Sequence, residues 1–395
     1  MNLILFDDKN RTGLLPLSFT RPVSELRIGI LKIREKWEKI LGSGSSIATE
    51  PYLAEKFPLK IERDNLCILG GLLPDEKNIQ LITQLEVGQA LFSGNRLLAY
   101  RAGEKETMNL TGKGESSPHK VLSIEDPAII DHPWQIFSKN GEQIEFDFSL
   151  LTANRRSAEL PGSNKILGNN LFVEEGVRAE CSIINTETGP VYLGKGSELM
   201  EGSIIRGPFA ICEGSTIKMG AKIYGPTTIG PYSKAGGEIN NSVIQGFSNK
   251  GHDGFLGNSV IGEWCNLGAD TNNSNLKNNY ADVKIWSYPS ERFVQTGLQF
   301  CGLIMGDHSK CGINTMFNTG TVVGVNANIF GSGFPRNFIP SFSWGGAQGM
   351  TVFSLPKAYE VAEKVMQRRN VIFDGKEKKI LDEVFKLTEK YRKNF

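Results

Sequence analysis

Aliphatic residues recur at every sixth position over a long stretch in the middle of this 395-residue chain. Four residues after each of them the side chain is small in six cases of seven, as at Ser197 and Ser203. A flat strand of about six residues with one inward aliphatic side chain and a tight corner gives this spacing. The repeat predicts a parallel β-helix with three strands to a coil of about 18 residues and about 4.8 Å between coils. The aliphatic series is Leu193, Leu199, Ile205, Ile211, Ile217, Ile223, Ile229 and Ala235.

A second run of the same period follows after an interruption. It is out of phase with the first, because the separation of Ala235 and Met305 along the sequence is not a multiple of six. We therefore expect at least one loop to be extruded from the stack between the two runs. The first candidate for this loop is FSNKGHDGFLG (247–257), which contains His252. The second run consists of Met305, Cys311, Phe317, Val323 and Ile329.

The two ends of the chain lack this period. Residues 1–155 contain short apolar runs, and the apolar spacing from Val23 to Ile40 is helical, which together predict an α/β domain. The stretch 151–164 has the polar, Pro and Gly content of a linker, so the β-helix is expected over 160–345. Helical spacing in 346–395 predicts C-terminal helices that cover the open end of the β-helix.

Charge and hydropathy limit the possible partners. The chain has 44 basic and 43 acidic residues, without a long block of either sign, so neither nucleic acid nor an anionic membrane is expected. No run approaches the roughly 18 apolar residues of a membrane span, and the first apolar run is too short for a signal peptide. A cytoplasmic location is the resulting expectation. The six cysteines lack CxxC spacing, which favours reduced thiols.

The segment SNKGHDGFLGNSVIGEWCNLGADTNNSNLKNNYADVKI (248–285) resembles the acetyltransferase domain of the GlmU-like bifunctional sugar-1-phosphate nucleotidylyltransferase/acetyltransferases. The resemblance implies a left-handed β-helix, acetyl-CoA as cosubstrate and a homotrimer. It also implies that His252 is the general base toward the amino group of a hexosamine 1-phosphate. Asn266 and Asn275 would contact the sugar, and Lys284 would be a cation near the acceptor. The segment KCGINTMF (310–317) resembles the acetyl-CoA side of the site, which implicates Lys310, Gly312 and Asn314.

Three positions near the implied acceptor site depart from the family pattern. Phe255 stands where the family has a tyrosine, and Tyr224 and Asn240 stand where an arginine and a lysine hold phosphate. Hydrogen bonds from cations to phosphate are worth roughly 1.5–3 kcal/mol each. We therefore expect an acceptor other than the usual sugar phosphate of the family.

The segment RTGLLPLSFTRPVSELRIG (11–29) resembles the sugar nucleotidyltransferase signature GxGTRLxPLTxxRPK, without its first glycines and without its lysine. Nucleotidyl transfer needs backbone amides and a cation on the phosphates, and carboxylates for Mg2+. The candidate nucleotide contacts are Arg11 and Arg21, and the candidate Mg2+ ligands are Asp7 and Asp8. The N-terminal part is thus expected to be a reduced nucleotidyltransferase-like domain.

The favoured hypothesis is an acetyl-CoA-dependent N-acetyltransferase that acts on an amino sugar, as a sugar 1-phosphate or a nucleotide sugar. An imidazole has an ordinary pKa of about 6.5, so at neutral pH it can take the proton that an attacking amine must lose. The alternative is a sugar-1-phosphate nucleotidyltransferase whose β-helix serves oligomerisation or regulation, and a third possibility is a scaffold with two decayed sites. His252 could also only shape a turn, and Asn266 and Asn275 could belong to an asparagine-rich turn ladder. His308 is expected to be solvated.

Overall fold

The computed structural model describes residues 1–111, 118 and 120–393 and divides the chain into two compact units. The first unit consists of Met1–Leu14, Thr20–Leu26 and Leu31–Asp131, and the second consists of Leu15–Phe19, Arg27–Ile30 and His132–Phe395. Within the described residues, no helix has the length and hydropathy needed to cross a membrane.

The first unit is built on a six-stranded mixed sheet with the order β2-β1-β3-β5-β4-β6. Strand β1 lies next to the edge strand β2 and is parallel to both of its neighbours. Its apolar run is buried throughout, as is usual for a parallel strand that is covered on both faces. The strands are β1 (Asn2–Phe6), β2 (Ser45–Ala48), β3 (Asn65–Leu69), β4 (Gln89–Ser93), β5 (Arg96–Ala102) and β6 (Lys120–Ser123), and the helices are α1 (Ile33–Leu41), α2 (Glu76–Thr83) and α3 (Glu104–Thr111).

The helix predicted from Val23 to Ile40 is shorter than the apolar spacing indicated, because only α1, from Ile33, is α-helical. The segment Arg27–Ile30 belongs to the second unit. There the amide of Gly29 donates to Asn140 Oδ1, and the amide of Ile30 donates to Asp147 Oδ2. Gly29 has φ +76°, outside the helical region. These tertiary hydrogen bonds hold non-helical backbone where the local pattern favours a helix.

The second unit is a parallel β-solenoid with three walls, which we call walls 1, 2 and 3 in the order in which the chain visits them. Each strand pairs with the strand of the next coil on the same wall. Wall 1 contains Lys165–Leu167, Ile183–Asn185, Ile204–Arg206, Lys222–Tyr224, Glu238–Asn240 and Phe255–Gly257, and the pair Asn272–Asn273 and Met316–Phe317 adjoins it. Wall 2 contains Leu171–Val173, Val191–Leu193, Phe209–Ile211, Thr227–Ile229, Val243–Gly246, Val260–Glu263, Leu303–Met305, Thr321–Val323 and Phe338–Ile339. Wall 3 contains Arg178–Ala179, Glu198–Leu199, Thr216–Ile217, Lys234–Ala235, Asn249–Lys250, Asn266–Leu267, Lys310–Cys311, Asn328–Ile329 and Ser343–Gly346, followed by the antiparallel Gly349–Val352.

The predicted six-residue series forms the solenoid core. Every member from Leu193 to Ala235 is buried, and so is every member of the second run. The small residues between them link the corners of successive coils. The amide of Ser233 donates to Ser215 Oγ of the preceding coil, and the amide of Ser248 donates to Ser233 Oγ in the same way. The predicted fold class is confirmed: an α/β N-terminal part, a parallel β-solenoid and C-terminal helices. Left-handed coiling stays an expectation from the resemblance.

The change of phase between the two runs has two structural causes. The first is a shortening of the coils. Ile205 pairs with Ile223 and Ile223 pairs with Ile239, and the second pair is separated by fewer residues along the chain than the first. The second is a long arm that leaves the stack, because Asn266 pairs with Lys310. The arm contains the antiparallel hairpin Lys284–Ser287 and Arg292–Gln295. The prediction of an extruded loop was therefore right, but its placement at 247–257 was wrong.

Four α-helices lie in the described part of the second unit. They are α4 (Pro133–Ser138), α5 (Asn140–Thr152), α6 (Leu355–Gln367) and α7 (Gly375–Leu387). The compact first unit ends at Asp131, and α5 packs on wall 2 with Ile144 beside Tyr192 and Ala210. The domain boundary at 155 stays a prediction. At the other end, α7 packs on the last coil through an edge-to-face contact between Phe385 and Phe342, with ring centroids 5.0 Å apart.

Candidate functional site

A cavity of about 580 Å³ lies on wall 3 of the solenoid, beside the corner that leads from wall 3 to wall 1. Outward side chains of several coils and the C-terminal end of α6 line it. A helix near the end of the chain therefore contributes to a site on the central coils. The lining residues are Lys218, Lys234, Phe247, Asn249, Gly251, His252, Trp264, Cys265, Asn266, Leu267, Gly268, Ala269, Lys310, Ile313, Val365, Arg368 and Arg369.

His252 lies in the four-residue corner 251–254, between the strand Asn249–Lys250 of wall 3 and the strand Phe255–Gly257 of wall 1. Its side chain is exposed and lines the cavity. The corner is closely held, because Lys250 Nζ donates to His252 O over 2.6 Å and the amide of Asp270 donates to Asp253 O over 3.0 Å. The imidazole thus projects from an ordered turn of the solenoid.

Gly254 completes the corner in a conformation that needs glycine. Its φ is +112°, and an added Cβ would lie 2.2 Å from Thr271 O. Both the backbone angle and the close approach exclude other residues without a shift of the corner. The turn geometry therefore explains the second glycine of GHDG, and the histidine lies on the exposed edge of the corner.

The cavity lining is strongly cationic. It holds five Lys and Arg side chains and, among the described lining residues, no carboxylate. Arg369 Nη2 donates to Asn249 Oδ1 over 3.3 Å, which ties the end of α6 to the strand that precedes His252. Lys310 Nζ donates to His308 O over 2.7 Å, and burial lowers the pKa of this ammonium to about 8. Such a lining favours an anionic ligand.

One side of the cavity is a ladder of stacked rings at the corner between walls 2 and 3. The ring centroids of Phe247 and Trp264 are 4.3 Å apart with an interplanar angle of 15°, and Tyr232 stacks on Phe247 from the preceding coil. His308 continues the ladder on Trp264 and is 4% exposed. The prediction that His308 is solvated was therefore wrong, because a ring at this corner position is covered by the ring of the neighbouring coil.

The predicted substrate contacts fall into two groups. Asn266 lies on wall 3 and lines the cavity with His252. Phe255 and Asn275 lie beyond the corner on the wall 1 side, where an added Cβ on Gly257 would be within 2.7 Å of both side chains. The Phe255 ring therefore covers Gly257, with the Asn275 amide beside it.

Tyr224 and Asn240 are also on wall 1, directly opposite each other on adjacent strands. Tyr224 Oη donates to Glu238 Oε1 over 2.6 Å, and this hydrogen bond raises the pKa of Tyr224 to about 12. These positions thus offer a neutral phenol, an amide and a nearby carboxylate. None of them supplies the positive charge that a phosphate needs.

Of the remaining predicted residues of the second unit, only Lys310 is among the residues that line the cavity. Lys310 lines the cavity, whereas Gly312 and Asn314 flank Ile313, which is the lining residue there. Lys284 is exposed on the hairpin of the extruded arm and is not among the lining residues. The structure therefore brings together His252, Asn266 and Lys310 out of the predicted set.

Several lining residues were not found from the sequence. Lys218 and Lys234 each adjoin an inward residue of the six-residue series, so their outward direction follows from the repeat. Arg368 and Arg369 carry no such signal, since they lie far from His252 along the chain and outside the repeat. Only the return of α6 to wall 3 places them at the cavity.

In the first unit, both predicted Mg2+ ligands form ion pairs with arginines. Arg11 Nε is 3.3 Å from Asp7 Oδ2, and Asp7 also accepts from the Val23 amide. Asp8 pairs with Arg96 over 2.8 Å. Burial raises the pKa of Asp7, against the lowering effect of Arg11. Arg21 is buried.

These residues do not fit a Mg2+ site. The cavity beside Asp7 and Asp8 is about 10 Å³, which is roughly the room of one water molecule. Within the described ranges, no three His, Cys, Asp or Glu side chains are grouped as metal ligands would be. Both carboxylates already have arginine partners, so a divalent cation would have to displace them.

Comparisons with known proteins agree with the two-part organisation. The sugar nucleotidyl transferase family matches residues 3–156. The bifunctional protein GlmU of Methanocaldococcus jannaschii is 36% identical over 92 residues, which are 23% of this chain and 22% of that protein. The chain thus spans about a fifth of the length of that relative. A putative uncharacterized acetyltransferase of Escherichia coli K12, YaiX, is 28% identical over 220 residues, which are 53% of this chain and 84% of that protein.

Among solved structures, the UDP-N-acetylglucosamine acyltransferase of Francisella novicida is similar with a TM-score of 0.31 and 14% identity, over 59% of this chain and 76% of that chain. The sequence relatives confirm the predicted resemblance to GlmU-like sugar-1-phosphate nucleotidylyltransferase/acetyltransferases.

Proposed function

We propose that the protein transfers the acetyl group of acetyl-CoA to the amino group of an amino sugar, presented as a sugar 1-phosphate or a nucleotide sugar. The observation that carries the proposal is the cavity on wall 3, which combines an exposed imidazole with five cationic side chains. Acetyl-CoA is a polyanion, and a cationic cavity binds its phosphate groups through charge-assisted hydrogen bonds. The similarity to acetyltransferases in sequence supports the same reaction class.

His252 is assigned the role of general base. An amine attacks a thioester carbonyl only while its lone pair is free, so it must lose a proton as the new bond forms. The imidazole takes this proton and can return it to the departing thiolate of CoA, so no covalent intermediate with the protein is needed. The amide product and free CoA balance the reaction.

The two sides of the His252 corner suit the two substrates. We assign the cofactor to wall 3, where Lys218, Lys234, Lys310 and the two arginines of α6 can neutralise its phosphates. We assign the sugar to the wall 1 side, with Phe255 against an apolar face of the ring and Asn275 as a hydrogen-bond partner. Tyr224 and Asn240 would contact an uncharged part of the acceptor, since neither carries a positive charge.

The first experiment tests the base. Purified protein is incubated with acetyl-CoA and a panel of amino sugars, including hexosamine 1-phosphates and amino-sugar nucleotides, and released CoA is quantified by liquid chromatography. We expect His252→Gln to lower kcat by about 100-fold or more. The matched control is His132→Gln, in a histidine that stacks on Trp134 away from the cavity. CoA release at the wild-type rate in His252→Gln contradicts the assignment.

The second experiment tests the cationic lining. Arg369→Glu places a negative charge on the cavity and should raise the KM for acetyl-CoA at least tenfold. Arg336→Glu makes the same charge change at an exposed position outside the lining and should leave the KM within twofold. Equal effects of the two substitutions would show that the net charge of the protein, and not the cavity, determines the KM.

The family match of residues 3–156 favours sugar-1-phosphate nucleotidyl transfer as a second candidate. The ion pairs of Asp7 and Asp8 weigh against it, because they leave neither of these carboxylates ready for Mg2+. The same incubations with nucleoside triphosphates and Mg2+, followed for pyrophosphate, separate the two functions. Pyrophosphate release without CoA release would support the alternative.

A further inference from the structure

A lysine occupies a position of the solenoid core that is otherwise apolar. Lys250 points inward from wall 3, because Lys250 pairs with Ala235 of the preceding coil. The strand position is the one that elsewhere carries the aliphatic residues of the repeat. Its counterparts on wall 3 are Ala179, Leu199, Ile217, Ala235, Leu267, Cys311 and Ile329, and all of them are buried.

The ammonium group of Lys250 is enclosed and bonded to main chain. The residue is 2% exposed, and Nζ donates to Gly236 O over 3.0 Å and to His252 O over 2.6 Å. Burying a charge that is bonded to carbonyl oxygens and not to a carboxylate is costly. A hydrophobic side chain would fill the same place without this cost, so the fold alone does not explain the lysine.

The two carbonyl groups belong to successive corners between wall 3 and wall 1. The corner at Gly236 and Gly237 is shorter than the His252 corner, and it approaches that corner closely. An added Cβ on Gly237 would lie 2.9 Å from His252 O and from the Cα of Asp253. The ammonium therefore ties the His252 corner to the shortened corner beneath it.

We propose that Lys250 is a positioning residue, which fixes the main chain of His252 so that the imidazole is held at the cavity on wall 3. This inference rests on the proposed function of His252 as a base. The lysine acts through the carbonyl group of His252 and contacts neither substrate. Misplacement of a reacting group by about 1 Å can lower a rate by about 100-fold, so even a small loosening of this corner lowers kcat.

The kinetic test replaces the ammonium by an apolar group of similar length. Lys250→Met should lower kcat for acetyl transfer by about 30- to 100-fold and leave the KM for acetyl-CoA within threefold, because the cationic lining is unchanged. The control is Ile217→Met, a volume-conserving change at the same inward position two coils away. It should keep kcat within twofold. Equal losses of kcat in both variants, or an unchanged kcat in Lys250→Met, overturn the proposal.

A spectroscopic test is independent of catalysis. The chain has four histidines, so the imidazole resonances of selectively labelled protein can be assigned by substitution. In Lys250→Met we expect the His252 resonance to shift or broaden, while the His308 resonance, held in the ring ladder, stays in place. The test therefore remains decisive if the wild-type protein transfers no acetyl group. An unchanged His252 resonance overturns the inference, whereas a shifted resonance without activity supports it and contradicts only the proposed function.

A third measurement uses the wild-type protein and covers the case in which Lys250→Met does not fold. The His252 resonance is followed from neutral into alkaline pH. Because the ammonium bonds the carbonyl group of His252, loss of the ammonium proton should shift the His252 resonance in a step near pH 8. The other titratable groups that act on Lys250 are Asp253, Asp270 and Cys311. Lys310 also lines the cavity, and burial lowers its pKa to about 8 as well, so the step should persist in Lys310→Met and in Asp253→Asn. A resonance without any such step overturns the proposal.

Discussion

Replacing Lys250 by methionine should change how the stability of the fold responds to alkaline pH. Lys250 is 2% exposed, and burial lowers the pKa of its ammonium from 10.5 to about 8. Between these two pH values the unfolded chain still holds a proton that the folded chain has released. The free energy of unfolding therefore rises with pH through this window, and the cost of burying the charge is fully present below it.

The magnitude follows from the difference in pKa. A fall from 10.5 to about 8 corresponds to roughly 3 kcal/mol over the whole window, or about 1.4 kcal/mol per pH unit. Methionine abolishes this pH dependence, but it also removes the two hydrogen bonds to carbonyl oxygens, which are worth roughly 1.5–3 kcal/mol each. At pH 7, methionine removes both the cost of burying the charge and the stabilising hydrogen bonds, and these two effects on the free energy of unfolding oppose each other. The decisive quantity is therefore the change of the unfolding free energy with pH.

Urea unfolding followed by circular dichroism at pH 7, 8, 9 and 10 measures this change. We expect the difference in unfolding free energy, wild type minus Lys250→Met, to grow by roughly 2–3 kcal/mol between pH 7 and pH 10. The subtraction removes the opposite contribution of buried thiols such as Cys67 and Cys301, whose pKa values burial raises to about 12. A difference that is the same at all four pH values would refute the reasoning, since Lys250 would then titrate alike in both states.

Three further predictions concern the core, the acceptor side and the arm. Ile205→Ala removes a fully buried side chain between two neighbouring coils and should lower the unfolding free energy by about 2–5 kcal/mol in urea titrations; a loss well below this range would contradict close packing there. Tyr224→Phe breaks the hydrogen bond to Glu238 and should raise the KM for the sugar at least threefold while the KM for acetyl-CoA stays constant; equal changes in both constants would contradict the division of the substrates between the walls. Gly302→Ala places a Cβ 2.1 Å from a carbonyl oxygen of the neighbouring coil and should cost roughly 1–3 kcal/mol by thermal unfolding, whereas Gly162→Ala meets nothing within 4 Å and should be neutral.

The fold of the central region could be predicted from the sequence because its determinant is local. One inward aliphatic residue in every six sets the strand, the corner and the stacking of coils, and each coil contacts only its neighbours. The burial of the whole series from Leu193 to Ala235 confirms this. The same local reasoning was wrong for Val23 to Ile40, where hydrogen bonds from Gly29 and Ile30 to residues distant in the sequence replace a helix.

The placement of His252 shows the limit of counting a repeat. The loss of the six-residue phase was interpreted as an extruded loop. A solenoid can also lose this phase by shortening a corner while its coils stay stacked, as it does at Gly236 and Gly237. The true insertion is the arm between Asn275 and Cys301. Sequence spacing cannot distinguish a shortened corner from an inserted arm, because each one only changes the number of residues between two inward positions.

The sequence by itself determined the β-solenoid and the resemblance to sugar-modifying transferases. The tertiary structure alone decided which charges surround His252. Arg368 and Arg369 reach the cavity because α6 folds back along wall 3, and Lys250 reaches the carbonyl group of His252 because a shortened corner brings two turns together. The repeat fixes which way a side chain points, but which distant segments share a surface depends on packing between coils and helices, and local spacing does not encode it.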